Sequence, residues 1–257
     1  MLRQDYTFEV CANSVESCLA AQRGGADRVE LCAAIPEGGT TPSFGAIAYA
    51  RHNLDIKLNV IVRPRGGDFL YSPIEAATLL ADIDTLRPLQ VDGIVTGALT
   101  ADGDIDLRLM EAVMDAAQGI PVTFHRAFDR CRRPQEALEQ LISLGVKRVL
   151  TSGQQPTALE GATLLRQLVD QAAGRIIIMP GCGVCETNIA RIAQLTGARE
   201  FHFSAREAVK SAMRTRNSEV KMGSDDIDEY TRAESPRHFR NNSVLDFLEH
   251  ILRRARF

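Results

Sequence analysis

The chain has 257 residues, 45% of them hydrophobic and 25% charged, with a net charge of −3. This is ordinary globular composition, and the length admits two small domains or one large α/β barrel. A slight negative balance gives no positive field for nucleic acid or an anionic membrane, and no apolar run approaches the ~18 residues of a membrane span.

The opening MLRQDYTFEV lacks an apolar stretch and a cleavage-type site, so it does not read as a secretory signal and the expected location is cytoplasmic. In that compartment the six cysteines (Cys11, Cys18, Cys32, Cys131, Cys182 and Cys185) stay mostly reduced. Scattered through a long chain, they read first as buried apolar thiols, with metal binding or chemistry the minority use.

Taken in chain order, β-rich runs occur at 7–11, 28–32, 57–63, 93–96, 121–125, 148–152, 175–180 and 200–204. They recur roughly every 28 residues, room for one loop, one helix and one loop, the pattern of a parallel sheet with crossover helices. Ser72-Pro73-Ile74-Glu75 predicts a capping box with proline at the first helical position. Ala137, Leu138, Leu141, Ile142 and Leu144 mark a helix face that Gly145 ends. Gly25-Ala26-Asp27-Arg28-Val29, Gly145-Val146-Lys147-Arg148-Val149 and Gly197-Ala198-Arg199-Glu200-Phe201 repeat one plan: glycine stop, short turn, strand. Eight βα units predict an α/β fold, a single (β/α)8 (TIM) barrel spanning 1–257. An open doubly wound sheet is the rival, disfavoured by the even phasing. Between Ser204 and Asn242 lies a long strand-8/helix-8 connection of mixed charge, expected to be a lid, an arm onto a partner subunit or a partly mobile segment, before a last helix over Val244–Arg254.

Sites in such barrels lie at the C-terminal strand ends. Strand one offers Glu9 and Cys11, strand two Glu30 and Cys32; residues i and i+2 share a strand face. Alignment of the two glutamates would bring both thiols together on one face. Two thiolates there suit a soft metal such as Cu(I); the plainer reading is two small barrel-filling residues. A glutamate inside a barrel must be paired, neutralised or used, and Arg63 or Arg65 is the expected counter-charge. Arg63-Pro64-Arg65-Gly66-Gly67-Asp68 places two guanidiniums on a flexible turn, suited to a carboxylate or phosphate, or to a salt-bridged rim.

His125, followed by Arg126, ends strand five and reads as a proton-transfer or metal residue, or as a packed imidazole. His202 faces the lumen if Phe201 and Phe203 face the helices. His52, His238 and His250 read as surface residues. Ser152, Ser204 and the Gly181-Cys182-Gly183 turn occupy strand ends six to eight, where barrel phosphate sites commonly form. Cys182 and Cys185, the latter expected at a helix start, form a C-x-x-C. No second such pair completes a zinc site, and a redox pair is the other option. No lysine falls at a strand end, since Lys57 begins a strand and Lys147 precedes one, so a Schiff-base nucleophile is not expected.

Longer segments carry a resemblance. GGADRVELCAA (24–34), GGTTPS (38–43), IVRPRGGDFLYS (61–72), VTFHRAFD (122–129), RVLTSGQ (148–154) and HFSAR (202–206), with Met213-Arg214 and Arg216-Asn217, resemble the CutC family of copper homeostasis proteins from about Phe8 to Tyr230. The resemblance implies a cytosolic TIM barrel that assembles as a homo-oligomer, dimer or tetramer. It also implies Cu(I) binding at Cys11 and Cys32, without an organic cofactor. The alternative is a lyase- or isomerase-type enzyme acting on a small anionic or phosphorylated metabolite. Arg63, Arg65, Arg126, Ser152, Gly181, Gly183, His202 and Ser204 would then hold the anion. His125 or Glu30 would act as base, and Glu9 or Asp68 would orient or relay.

Overall fold

Eight short strands alternate with seven helices in a computed structural model that describes residues 5–215, 217, 219 and the strand backbone 231–234. In order these are β1 (Thr7–Ala12), α1 (Val15–Arg23), β2 (Arg28–Leu31), α2 (Phe44–Asn53), β3 (Lys57–Ile61), α3 (Pro73–Leu86), β4 (Gly93–Thr96) and α4 (Leu107–Ala117). They continue as β5 (Val122–Phe124), α5 (Pro134–Ser143), β6 (Arg148–Thr151), α6 (Ala162–Ala172), β7 (Ile177–Pro180), α7 (Ile189–Thr196) and β8 (Glu200–Phe203). Every hydrogen-bonded neighbour in this sheet is parallel, in the order β7-β6-β5-β4-β3-β2-β1-β8. Pairing of β8 with β1 bends the sheet into a nearly closed (β/α)8 barrel; among the described residues, β7 and β8 share no ladder. After it, β9 (Glu207–Lys210) pairs antiparallel with β10 (Thr231–Glu234), inside the long connection. The expected last helix, with His238 and His250, lies outside the described residues.

The helices begin where the chain supplies caps. Ser14, Ser43, Ser72 and Asp106 each accept a backbone N–H from their own helix's first turn. At Ser72 the reciprocal bond from Glu75 completes the capping box, with Pro73 at the first position. Gly145, at φ +78°, follows α5 in the left-handed conformation that ends it.

Strand alternation sorts side chains into two layers. Phe8, Val10, Val29, Leu58, Val60, Ile94, Phe124, Phe201 and Phe203 face outward into the main core against the helices. Phe8 packs on Phe201 and Phe203 with ring centroids 6.3 Å apart in each case. Those phenyls turn His202 inward, as the alternation predicts. The inward layer is unusually polar: Glu9, Arg28, Glu30, Asn59, Thr123, Arg148 and His202 are all buried.

The register corrects one expectation. β1 and β2 do not align on their glutamates; Glu9 stands opposite Arg28, and Cys11 opposite Glu30. The offset follows from barrel closure, which requires neighbouring strands to stagger. All four residues still share the lumen.

Candidate functional site in the barrel lumen

Glu9 is the hub of the lumen and is fully buried. Its Oε1 lies 2.8 Å from His202 Nδ1, and its Oε2 accepts from Asn59 Nδ2 at 2.9 Å and from Arg28 Nε. Arg28 also reaches Glu200 at 2.8 Å, and Arg148 meets the same Glu200 oxygen at 2.8 Å. His202 turns its other nitrogen toward Glu30, 3.7 Å away. Asn59 keeps its place because β4 presents Gly93 opposite it, where any Cβ would collide with the amide.

Above this network sit the thiols. Cys11 and Cys32 Sγ atoms are 3.5 Å apart. Cys32 Sγ is also 3.3 Å from the Ala12 carbonyl oxygen, so its hydrogen is shared between two acceptors. Arg206, just past β8, donates to Cys11 Sγ at 3.3 Å. Ile61 and Val95 complete a small apolar cluster around the pair.

The charges divide unevenly. The Cys32 thiol beside Cys11 holds the latter well below the usual thiol range, and His202 and Arg206 act the same way against the cost of burial. Cys32 is pushed up, first by that same hydrogen bond and then by burial. Burial opposes ionisation of Glu9, yet Arg28 and His202 hold its carboxyl below the usual range. Burial also disfavours charge on His202, but Glu30, Cys11 and Glu9 outweigh it and raise the imidazole well above its ordinary value. Glu30 is pushed up to about 8, by burial first, with His202 opposing and the charges of Cys11 and Glu9 adding to the rise. The lumen therefore sets a thiol that favours its anion beside an imidazole that favours its cation and a carboxyl pushed up to about 8.

The arginines expected to neutralise the glutamates do not. Arg63 donates to the carbonyls of Glu37, Gly39 and Gly67, while Arg65 pairs with Glu75 at 2.6 Å and with Asp68 at 2.9 Å on the rim. The counter-charge of Glu9 is Arg28, which shares Glu200 with Arg148; both arginines begin their strands and point inward. Arg28 stands two residues before Glu30 and Arg148 fills the matching place in the repeated glycine-turn-strand motif. Asn59 is likewise two before Ile61. The i, i+2 rule that paired glutamate with cysteine, carried one step back, finds them.

Other expected site residues fall elsewhere. His125 is buried at the end of β5, over Phe69 rather than against Glu9. Arg126 pairs with Asp129 at 2.7 Å, and Asp129 also accepts from Thr151 Oγ1 and from the Ser152 and Gln154 amides. Ser152 Oγ donates to the Gln155 carbonyl at 2.6 Å. Gly181 N–H is committed to the Thr151 carbonyl, and the Gly183 carbonyl accepts from Asn188. Ser204 lies just beyond β8. Cys182 and Cys185 are engaged separately, Cys182 with the Pro156 carbonyl and Cys185 with Thr187 Oγ1, each at 3.1 Å. Cys185 precedes the helix, since Asn188 is the residue before α7.

Fold and lumen together define a (β/α)8-barrel protein with a buried thiol pair set on a carboxylate–imidazole–guanidinium network. The CutC family model matches residues 6–207, and the chain belongs to the CutC family. It is 65% identical over 229 residues to a CutC family protein of Bacteroides thetaiotaomicron, covering 88% of this chain and 92% of that one. It is 50% identical over 218 residues to the human copper homeostasis protein cutC homolog, covering 85% and 80% respectively. Among solved structures, a Streptococcus agalactiae CutC, named as a copper homeostasis protein, superposes with a TM-score of 0.75 at 35% identity, covering 77% of this chain and 98% of that one. An aldolase at 14% identity and TM-score 0.60 shares the fold alone.

Proposed function

We propose that this chain is a cytosolic copper homeostasis protein that takes Cu(I) as cargo between Cys11 and Cys32. The carrying observation is the 3.5 Å separation of two buried sulfurs, one of them held below the usual thiol range by its neighbours. The donor set fits: thiolate sulfur prefers a soft monovalent ion, and Cys11, Glu30 and Cys32 offer ligand atoms within 4.8 Å of one another. One Cu(I) with two thiolates carries a single negative charge, which Arg206 beside Cys11 offsets. Binding would displace the Cys32 proton. Glu9, Glu30 and His202 also cluster within 4.8 Å, but Glu9 is already committed to Arg28, Asn59 and His202, which argues against a hard divalent ion there. Exposed Phe44 and Tyr49 on α2, with Leu70 in the loop before α3 and Ile74 in its first turn, support assembly into a homo-oligomer.

Anaerobic Cu(I) titration against a strong chelator tests the reading. Wild type should withhold one Cu(I) per chain, and the Cys11→Ser/Cys32→Ser variant none. Equal competition by both would sink it. A second reading, an enzyme acting on a small anionic metabolite, is favoured by Glu30, whose near-neutral titration against an imidazolium suits general acid–base work.

A further inference from the structure

Arg63 continues the inward parity of Asn59 and Ile61 and is only 3% exposed. Its Nη1 donates to the Glu37 and Gly39 carbonyls at 2.9 Å each and its Nη2 to the Gly67 carbonyl at 2.8 Å. Its Nε is buried with no partner, and it forms no ion pair with any described residue. A guanidinium buried without a counter-charge is costly, so the site is built to receive a negative group.

Two more buried donors stand beside it. The Phe69 ring lies 4.9 Å from the guanidinium carbon of Arg63 and 4.9 Å from the His125 ring. His125 follows the inward-facing Thr123 and is 5% exposed. Its Nδ1 accepts from the Ala127 N–H at 3.3 Å, which places the ring hydrogen on Nε2. That Nε2 is buried with no partner among the described residues, and the buried Tyr71 hydroxyl turns its oxygen toward Arg63, its own hydrogen having no acceptor among the described residues. Burial and Arg63 hold the imidazole down to about 3, so it stays neutral. The room is reserved for it, because a Cβ on Gly97 would stand 2.7 Å from His125 Nδ1. The three groups offer one positive charge and three hydrogen-bond donors. Arg65, committed to Glu75 and Asp68, takes no part.

We propose that Arg63, Tyr71 and His125 form a subsite for the carboxylate of a small organic acid, whose body extends under Phe69 over Ile61 and Val95 toward the thiol pair. A carboxylate matches a single cation with its one charge and accepts without donating; a phosphate near neutral pH brings more charge than the subsite balances. Ile61, two residues before Arg63 on the same inward parity, and Val95 pack directly on Cys11 and Cys32. The inference deepens the enzyme reading by naming a ligand class, but it is tested by binding rather than turnover, so it succeeds or fails apart from any activity.

The test is a thermal-shift and calorimetric titration of the full chain with acetate and pyruvate, against inorganic phosphate at matched ionic strength. The carboxylates should stabilise wild type saturably. Tyr71→Phe and His125→Leu should each weaken them by about tenfold, the worth of one hydrogen bond to a charged group. Cys11→Ser/Cys32→Ser should bind carboxylates as wild type does, while losing Cu(I). Absence of a saturable shift overturns the proposal. So does phosphate stabilising as strongly as the carboxylates, unchanged binding in both Tyr71→Phe and His125→Leu, or loss of carboxylate binding in the double serine variant.

Discussion

Two cysteines 3.5 Å apart are pushed in opposite directions because their neighbours differ. Cys11 faces Arg206 and His202, whereas Cys32 leans on a carbonyl oxygen and on Cys11 itself. The same logic sets the value of Glu9. It is fully buried and accepts from three side chains, so removing its charge leaves Arg28 and His202 underpaired. Glu9→Gln should lower the unfolding free energy by about 3 kcal/mol, the low end for breaking a buried pair because Arg28 keeps Glu200. Urea denaturation monitored by circular dichroism checks this, and a loss below about 0.5 kcal/mol, typical of a surface change, would contradict it. At this scale the sequence names the reactive residue types, but not their partners. Glu9 and Glu30 were legible as buried carboxylates. That Arg28 and not Arg63 neutralises Glu9 depends on the two-residue stagger between β1 and β2.

At the scale of elements the sequence is most readable. All eight strand runs form strands, each within a few residues of its expected ends. Ser72-Pro73-Ile74-Glu75 specifies its own helix start, because both reciprocal bonds lie within four residues. Ser72→Ala should cost about 1 kcal/mol and Ser72→Gly only a few tenths, as shifts in the denaturation midpoint at constant m-value. Equal costs for the two would argue that the cap contributes nothing. The C-x-x-C shows the opposite case. Its local pattern is conspicuous, yet the strained turn at Cys182, φ +75°, sends its sulfur to the Pro156 carbonyl while Cys185 bonds to Thr187. Spacing alone cannot report where a turn aims its side chains.

The whole molecule is decided at its seam. β7 and β8 share no ladder among the described residues, and Glu200 on β8 is instead held by Arg148 from β6 and Arg28 from β2. Arg28 also touches Met179 Sδ on β7 at 3.4 Å. Glu200→Gln should therefore destabilise the barrel by about 2 kcal/mol near neutral pH, between the worth of exposed and buried pairs. Burial opposes ionisation of Glu200, but Arg148 and Arg28 hold its carboxyl below the reference value of 4.5. Its contribution is then complete above about pH 4.5 and is lost as pH falls through the lower folded value. The gap between wild type and Glu200→Gln should narrow as pH drops below that point. A gap that stays constant from pH 7 to pH 3 would count against the seam role.

Strand and helix order, the barrel class and the CutC resemblance were determined by the sequence alone, because each rests on local patterns: alternation, caps, glycine stops and contiguous motifs. The inward turn of His202 was also legible, since Phe201 and Phe203 must leave water together. Only the tertiary structure decided which charges meet. Closing a barrel staggers its strands and brings β8 back to β1, so Glu9 meets His202 from 193 residues away. It also decided that Arg63 is buried without a counter-charge among the described residues, since the loops carrying Glu37, Gly39 and Gly67 offer it carbonyl oxygens in place of a carboxylate.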